Sequence, residues 1–132
     1  MRQLTVRKRL LQMETWLRAH FPTPYPVVVK WVPKIAAGRD EPAYIRRSGH
    51  VAECYWHKPN IVIRLSTPLN RIRQVAVDSL MHEWSHAVTM PNDRMHRLSS
   101  YRQEHPDEWA LVYGRIYRNW VDNGGSDESR SY

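Results

Sequence analysis

One stretch of the chain, from Thr67 to Met90, constrains the fold most, because it has the pattern of a single long helix. Thr67 suits the N-cap of a helix, and Pro68 suits its first position, where the missing N–H is not needed. Pro91 ends the helix, because proline cannot continue the hydrogen-bonded turn. One wide apolar face is predicted from Ala76, Val77, Leu80, Met81, Trp84, Ala87 and Val88. These residues together predict one amphipathic helix that ends near Met90.

The rest of the chain predicts an α+β fold. Apolar residues at helical spacing indicate an N-terminal helix over residues 4–20, which three prolines then interrupt. Segments with β-branched or alternating residues predict three short strands, which cover 26–32, 50–56 and 60–66. The last helix begins at residues 106–108, which place acidic residues in its first turn, and it closes at Gly124-Gly125. The predicted order is therefore helix, three strands, helix and helix.

Two loops and a tail complete the predicted organisation. Residues 33–48 are rich in charge, glycine and proline and are predicted to form a loop. Residues 91–104 are a polar connection between the last two helices, and residues 124–132 are expected to be a disordered tail. A chain of 132 residues is long enough for one modest core, so a single domain is predicted over residues 1–123.

The charge balance is strongly basic. Twenty basic residues against 13 acidic ones give a formal charge of +7, and 16 of the 20 are arginine. Because the planar guanidinium group of arginine matches the geometry of phosphate, this composition is compatible with a polyanionic partner such as DNA. The basic residues are scattered along the chain, so a basic protein without such a partner fits the composition as well.

The cysteine content and the hydropathy pattern point to the cytoplasm. Cys54 is the single cysteine, so no internal disulfide can form, and its side chain is expected to be buried. No uninterrupted apolar run approaches the ~18 residues of a membrane span. The basic N-terminal segment also lacks the continuous apolar stretch of a signal peptide. We therefore expect a cytoplasmic protein that does not associate with membranes.

The sequence LMHEWSHAVTM, residues 80–90, carries two histidines four residues apart. On a helix, positions four apart lie about 40° from each other, so His82 and His86 can present their rings to one metal ion. Glu83 lies about 100° round from His82 and can reach a water on that ion, which is the physical content of the H-E-x-x-H motif. Both histidines lie opposite the apolar face, and this position suits a cleft-lining face as well as a solvated one.

A catalytic zinc site usually has three protein ligands and an open position for water, so a third ligand is required. Five residues after His86 are candidates: His96, Glu104, His105, Asp107 and Glu108. His105 stands just before the predicted start of the last helix, and Glu108 follows three residues later on the same side. The residues themselves leave both open as the third ligand.

The motif HEWSHA followed by HPDEW resembles the SprT-like zinc metalloproteases over about residues 58–120. That family carries H-E-x-x-H and then a third histidine in an H-G-x-x-[FW] stretch. The resemblance implies a zincin-like domain with three zinc ligands, His82, His86 and His105. It also implies that Glu83 is the catalytic glutamate and that Trp109 is a packing aromatic.

The chain departs from the family pattern in three ways. Pro106 replaces the usual glycine, the gap from His86 to His105 is long, and the zinc ribbon that often follows the protease domain is absent. In these respects the chain looks like the compact, stand-alone versions found in phages and prophages. The departures keep Glu108, which would give a gluzincin-like site, as the alternative third ligand.

The expected function is a zinc-dependent peptidase in which Glu83 is the general base. The strand over residues 60–66 is expected to present an exposed edge to an extended peptide substrate. By the resemblance, the substrates would be proteins bound to DNA. A narrow peptidase that cuts one regulatory protein is a further possibility, and the alternative from another class is a non-catalytic basic module, DNA-associated or regulatory, with structural zinc or none. Five residues could stabilise the oxyanion: His96, Tyr101, Tyr113, Arg115 and Tyr117. Tyr113, Tyr117 and Trp120 recur at helical spacing, which favours core packing as the role of these aromatics.

Overall fold

A computed structural model describes residues 5–90 and 107–122 of the chain. In these ranges it has four α-helices and one three-stranded mixed sheet, so the fold is α+β as the sequence predicts. The elements in chain order are α1 (Val6–His20), β1 (Val27–Val32), α2 (Ala43–Ser48), β2 (Ala52–His57), β3 (Asn60–Ser66), a 3-10 turn (Pro68–Asn70), α3 (Arg73–Thr89) and α4 (Asp107–Trp120). The predicted N-terminal helix and the three predicted strands are confirmed to within two residues at each end.

The sheet has the order β1-β3-β2, with β3 parallel to β1 and antiparallel to β2. The prediction that β3 presents an exposed edge is therefore wrong, because β3 is the central strand. Its four buried apolar residues explain this position, since a strand that is apolar on both faces requires neighbours on both sides: Ile61, Val62, Ile63 and Leu65. The two edges of the sheet are β1 and β2.

The core lies between one face of the sheet and the helices α1, α3 and α4. Leu10, Met13 and Leu17 of α1 are buried at the i, i+3, i+7 positions that the sequence predicts. Trp84 of α3 is also buried, and its indole Nε1–H donates a hydrogen bond to the carbonyl oxygen of Phe21, 2.9 Å away. The predicted apolar face of α3 is thus the face that packs in the core.

The start of α3 differs from the prediction. Thr67 has helical backbone angles and makes no side-chain capping bond, and the short turn Pro68–Asn70 ends before α3 begins at Arg73. Asn70 is buried, and its Nδ2 donates to the carbonyl oxygens of Ser66 at 2.7 Å and of Val51 at 2.8 Å. These two bonds tie the turn to the strands, so the helical pattern is interrupted there.

A second difference lies in the predicted loop 33–48, where the structure has the short helix α2. None of its six residues is buried, so the sequence has no apolar periodicity that would predict this helix. Cys54 is buried, as expected. The predicted connection 91–104, residues 105–106 and the predicted tail 124–132 lie outside the described residues. In the part that is described, no helix combines the length and hydropathy needed to cross a membrane.

Candidate metal centre

The centre of the site is a group of three side chains on α3, His82, Glu83 and His86. One ligand atom from each of the three lies within 4.8 Å of the others, and the two imidazole centroids are 5.1 Å apart. The helix produces this grouping locally, because its apolar residues pack in the core while the two histidines lie half-buried on another side. The spacing that the sequence predicts for a shared metal ion is therefore present.

Glu83 is the most enclosed member of the group. It is only 7% exposed, and one of its carboxylate oxygens lies 4.0 Å from Nε2 of His82. A carboxylate is costly to bury without polar or charged partners, and the two imidazoles are polar neighbours of this one. Glu83 lines the same cleft as His82.

Helix α4 forms one wall of the site. The ring of Trp109 lies 4.8 Å from the ring of His82 and 5.3 Å from that of His86. Its Nε1–H donates to the backbone carbonyl oxygen of His82, 3.2 Å away. Tyr113 stacks on Trp109 with 5.1 Å between centroids, and it lies 6.4 Å from His82. The two histidine rings thus have a fixed aromatic neighbour on one side.

Tyr113 has a phenol with a raised pKa. Burial raises this pKa above the usual 10.0, and the charges of Asp78 and Tyr117 raise it further. The neutral hydroxyl, as in any tyrosine at neutral pH, can donate a hydrogen bond. This position, in the wall of the cleft beside His82 and Glu83, suits a group that stabilises negative charge on a reacting carbonyl.

A cleft of about 390 Å³ opens beside the three side chains. Its lining combines apolar and polar groups: Val51, Ala52, Val75, Asp78, Ser79, His82, Glu83 and Tyr113. Ala52 begins β2, so the cleft borders an edge strand of the sheet. The strand that borders the cleft with an edge position is therefore β2, and not β3 as the sequence predicts.

The sequence did not single out Val51, Ala52, Val75 or Ser79 as cleft residues. Val75 and Ser79 lie seven and three residues before His82, so helical spacing alone would have placed them on the same side of α3. Val51 and Ala52 come from another part of the chain, and only the packing of β2 against α3 brings them to the cleft.

Of the candidates for the third ligand, Asp107 and Glu108 lie within the described residues. Glu108 is exposed in the first turn of α4, and within the described ranges it does not join the group of three. Asp107 is exposed as well, whereas His96, Tyr101, Glu104 and His105 lie outside those ranges. Tyr117 is 48% exposed and Arg115 is also exposed, so of the described oxyanion candidates only Tyr113 lines the cleft.

The donor set suits zinc. Two imidazoles with one further protein ligand and an open position match catalytic zinc sites, and a neighbouring glutamate that does not ligate is the usual base. The ring nitrogens of His82 and His86 are close enough to share one ion, and the cleft leaves room for a water and a substrate.

No protein-family model matches the chain, and no curated protein sequence matches it.

Proposed function

We propose that the chain is a zinc-dependent peptidase of the SprT-like, zincin type. The observation that carries the proposal is the grouping of His82, Glu83 and His86 beside an open cleft. His82 and His86 supply two ligands, and His105 supplies the third, with Glu108 as the alternative. His105 lies outside the described residues, and Glu108 does not join the group of three, so the choice between them rests on the sequence motif and on an experiment.

The residues of the chain then have separate roles. Zinc held by His82 and His86 would supply Lewis acidity, which would lower the pKa of a water and polarise the peptide carbonyl. Glu83 accepts the proton of the attacking water and passes it to the amine nitrogen that leaves. The hydroxyl of Tyr113 donates a hydrogen bond to the carbonyl oxygen as negative charge develops on it.

The edge strand β2 is the proposed binding surface for the substrate backbone. β2 pairs with β3 on one side and is an edge strand of the sheet, and Ala52 at its start lines the cleft. An extended peptide can add to such an edge through main-chain hydrogen bonds, and this places one of its carbonyl groups near Glu83. The substrate is therefore proposed to be an extended, locally unfolded segment of a protein.

The net charge of +7 supports substrates that are themselves associated with DNA. The proposed place of action is the cytoplasm, because the single cysteine, Cys54, fits a reducing compartment. A peptidase restricted to one regulatory protein has the same site geometry. In that case generic substrates are not cut, although the zinc site and its dependence on Glu83 remain.

The test compares zinc content and proteolysis for the wild type and Glu83→Gln. We expect about one zinc per chain in both proteins, and at least a ~100-fold loss of peptide cleavage in the variant, because general-base catalysis contributes that much. Glu14→Gln, on α1 and paired with Arg18, is the matched control and should change neither quantity. Suitable substrates are denatured casein and a histone bound to DNA.

Two outcomes would contradict the proposal. Wild-type protein without zinc after reloading would remove the metal centre. Zinc in both proteins, with no cleavage of either substrate or of other proteins cross-linked to DNA, would contradict the proposed action on DNA-associated proteins and would leave a peptidase for one regulatory protein or a structural zinc in a non-catalytic basic module.

A further inference from the structure

The sheet has a second edge strand, β1, which β3 separates from the strand that borders the cleft. The carbonyl oxygens of Pro26 and Val32 accept backbone hydrogen bonds from the β3 side, both at 2.8 Å. Successive residues of a strand direct their backbone groups to opposite sides, so the residues between these two alternate. The outward N–H and C=O groups of β1 are therefore those of Val27, Val29 and Trp31.

Helix α1 runs beside this edge and forms a groove with it. The guanidinium carbon of Arg7 lies 4.8 Å from the centroid of the Trp31 ring, and Nη2 of Arg18 donates to the outward carbonyl oxygen of Val27, 2.8 Å away. The groove has a volume of about 280 Å³. Apolar residues make up most of its lining: Leu10, Leu11, Val29, Trp31 and Leu80. The outward main-chain groups of Val29 and Trp31 thus stand directly beside an apolar groove.

A row of charges crosses the other face of the sheet, opposite to the core. Lys30 of β1 lies opposite Arg64 of β3 in the register, and Arg64 lies opposite Glu53 of β2. Arg64 and Glu53 form an ion pair, whereas Lys30 is exposed and pairs with no acidic residue in the described part of the chain. Opposite charges on neighbouring strands attract and like charges repel. An acidic side chain on a strand beyond β1 would therefore complete this row.

We propose that the free edge of β1 binds an extended segment of another protein, with an acidic residue opposite Lys30 and an apolar residue on each side of it. Successive side chains of a strand alternate between faces, so the two apolar side chains enter the groove beside Val29 and Trp31 while the acidic one faces Lys30. The partner is thus recognised by an apolar–acidic–apolar sequence. The binding needs neither zinc nor Glu83, so it goes beyond the proposed peptidase function.

Other occupants match this edge less well. A lysine on an edge strand discourages pairing with arbitrary strands, so Lys30 selects for an acidic partner. A second copy of β1 is a poor fit, because its sequence VVVKWV has no acidic residue to face Lys30. A peptide substrate in the cleft lies beside β2, on the opposite side of β3. The two edges can therefore be tested separately.

The test is fluorescence anisotropy of a short labelled peptide with full-length Glu83→Gln protein. The peptide has leucine, glutamate and valine at its centre, and a second peptide has lysine in place of the glutamate. Lys30→Glu should weaken binding of the glutamate peptide at least about fivefold and strengthen binding of the lysine peptide, because it reverses the charge of the cross-strand pair. Lys58→Glu, the same change at an exposed position between β2 and β3, is the matched control and should alter neither affinity.

Two results of this comparison would overturn the proposal. Equal effects of Lys30→Glu and Lys58→Glu would mean that binding follows total charge. Absence of binding of the glutamate peptide to the Glu83→Gln protein would mean that the edge of β1 does not take such a segment.

Main-chain pairing and the groove are tested by two further variants. Val29→Pro removes one outward N–H but no bond to β3, and edge strands tolerate such a proline, so binding should fall about tenfold in a folded protein. Leu11→Asp changes a groove residue that is 64% exposed, so it should weaken binding without affecting folding. The proposal is wrong if both variants bind the glutamate peptide like the Glu83→Gln protein. It is also wrong if sedimentation shows a wild-type dimer that Val29→Pro dissociates, since a second copy would then occupy the edge.

Discussion

The indole Nε1–H of Trp109 donates a hydrogen bond to the backbone carbonyl oxygen of His82, with 3.2 Å between nitrogen and oxygen. The bond joins two helices, and its acceptor belongs to one of the two candidate zinc ligands. The same indole ring contacts the imidazoles of both His82 and His86. The first turn of α4 is therefore attached to α3 at the metal centre.

Substitution of Trp109 tests this attachment. Trp109→Phe keeps an aromatic ring but removes the N–H, so the free energy of unfolding should fall by about 1 kcal/mol. Trp109→Ala also removes the packing and should cost about 2 kcal/mol. Urea denaturation measures both changes. Leu111→Ala, which truncates a side chain that is 65% exposed on the same helix, is the control and should stay within about 0.5 kcal/mol. Equal effects of all three variants would show that the contact is unimportant.

The third ligand is identified by zinc content. We expect His105→Ala to lose the zinc that His82→Ala and His86→Ala also lose, because three protein ligands hold a catalytic zinc. Glu108→Ala should retain about one zinc per chain, as measured by elemental analysis. Loss of zinc from Glu108→Ala alone would instead assign a gluzincin-like site and would weaken the SprT-like interpretation.

Two glycines should respond to alanine in opposite directions. Gly49→Ala requires a side chain at φ 79° and against the Ile35 oxygen, so it should destabilise the protein by at least about 2 kcal/mol. Gly114 lies inside α4 with no atom within 4 Å of an added Cβ, and Gly114→Ala should stabilise by up to about 1 kcal/mol. Relative to the wild type, the urea concentration at the midpoint of unfolding should fall for Gly49→Ala and rise for Gly114→Ala. A shift of both midpoints in the same direction would contradict the local geometry.

Tyr113 should make stability depend on alkaline pH. Its folded-state pKa is raised above 10.0, mainly by burial, so the unfolded chain loses this proton first. The contribution of this group to stability is fully present below pH 10 and does not vary with pH there. The free energy of unfolding should fall as pH rises from 10 towards the folded-state pKa. Metal-free Tyr113→Phe should lack this part of the decline. Denaturation at a series of alkaline pH values provides the measurement, and identical pH profiles for the two proteins would exclude the effect.

The elements and residues that the sequence predicts correctly depend on local patterns. The helix α1, the strands and the pairing of His82 with His86 follow from periodicity along a few turns or residues. The same reasoning places Glu83 next to the pair. A helix brings positions four apart together whatever surrounds it, so this half of the site needs no knowledge of the fold.

The incorrect predictions all concern contacts between distant parts of the chain. Asn70 bonds to Val51, 19 residues earlier, and this bond separates the turn Pro68–Asn70 from α3. The segment that contains α2 is closed by the bonds of His50 to Glu41 and to Ile35, and α2 has no buried residue of its own. Local periodicity does not predict such bonds, because tertiary packing determines which residues meet.

The cleft likewise combines features that follow from the local sequence with features that depend on tertiary packing. The sequence determined that two imidazoles and a carboxylate stand together on one helix. The order β1-β3-β2 determined which strand edge borders them, and the packing of α4 determined which aromatic rings enclose them. Strand order and helix docking are decided by the burial of apolar surface from the whole chain, so they emerge only when all the elements are packed together.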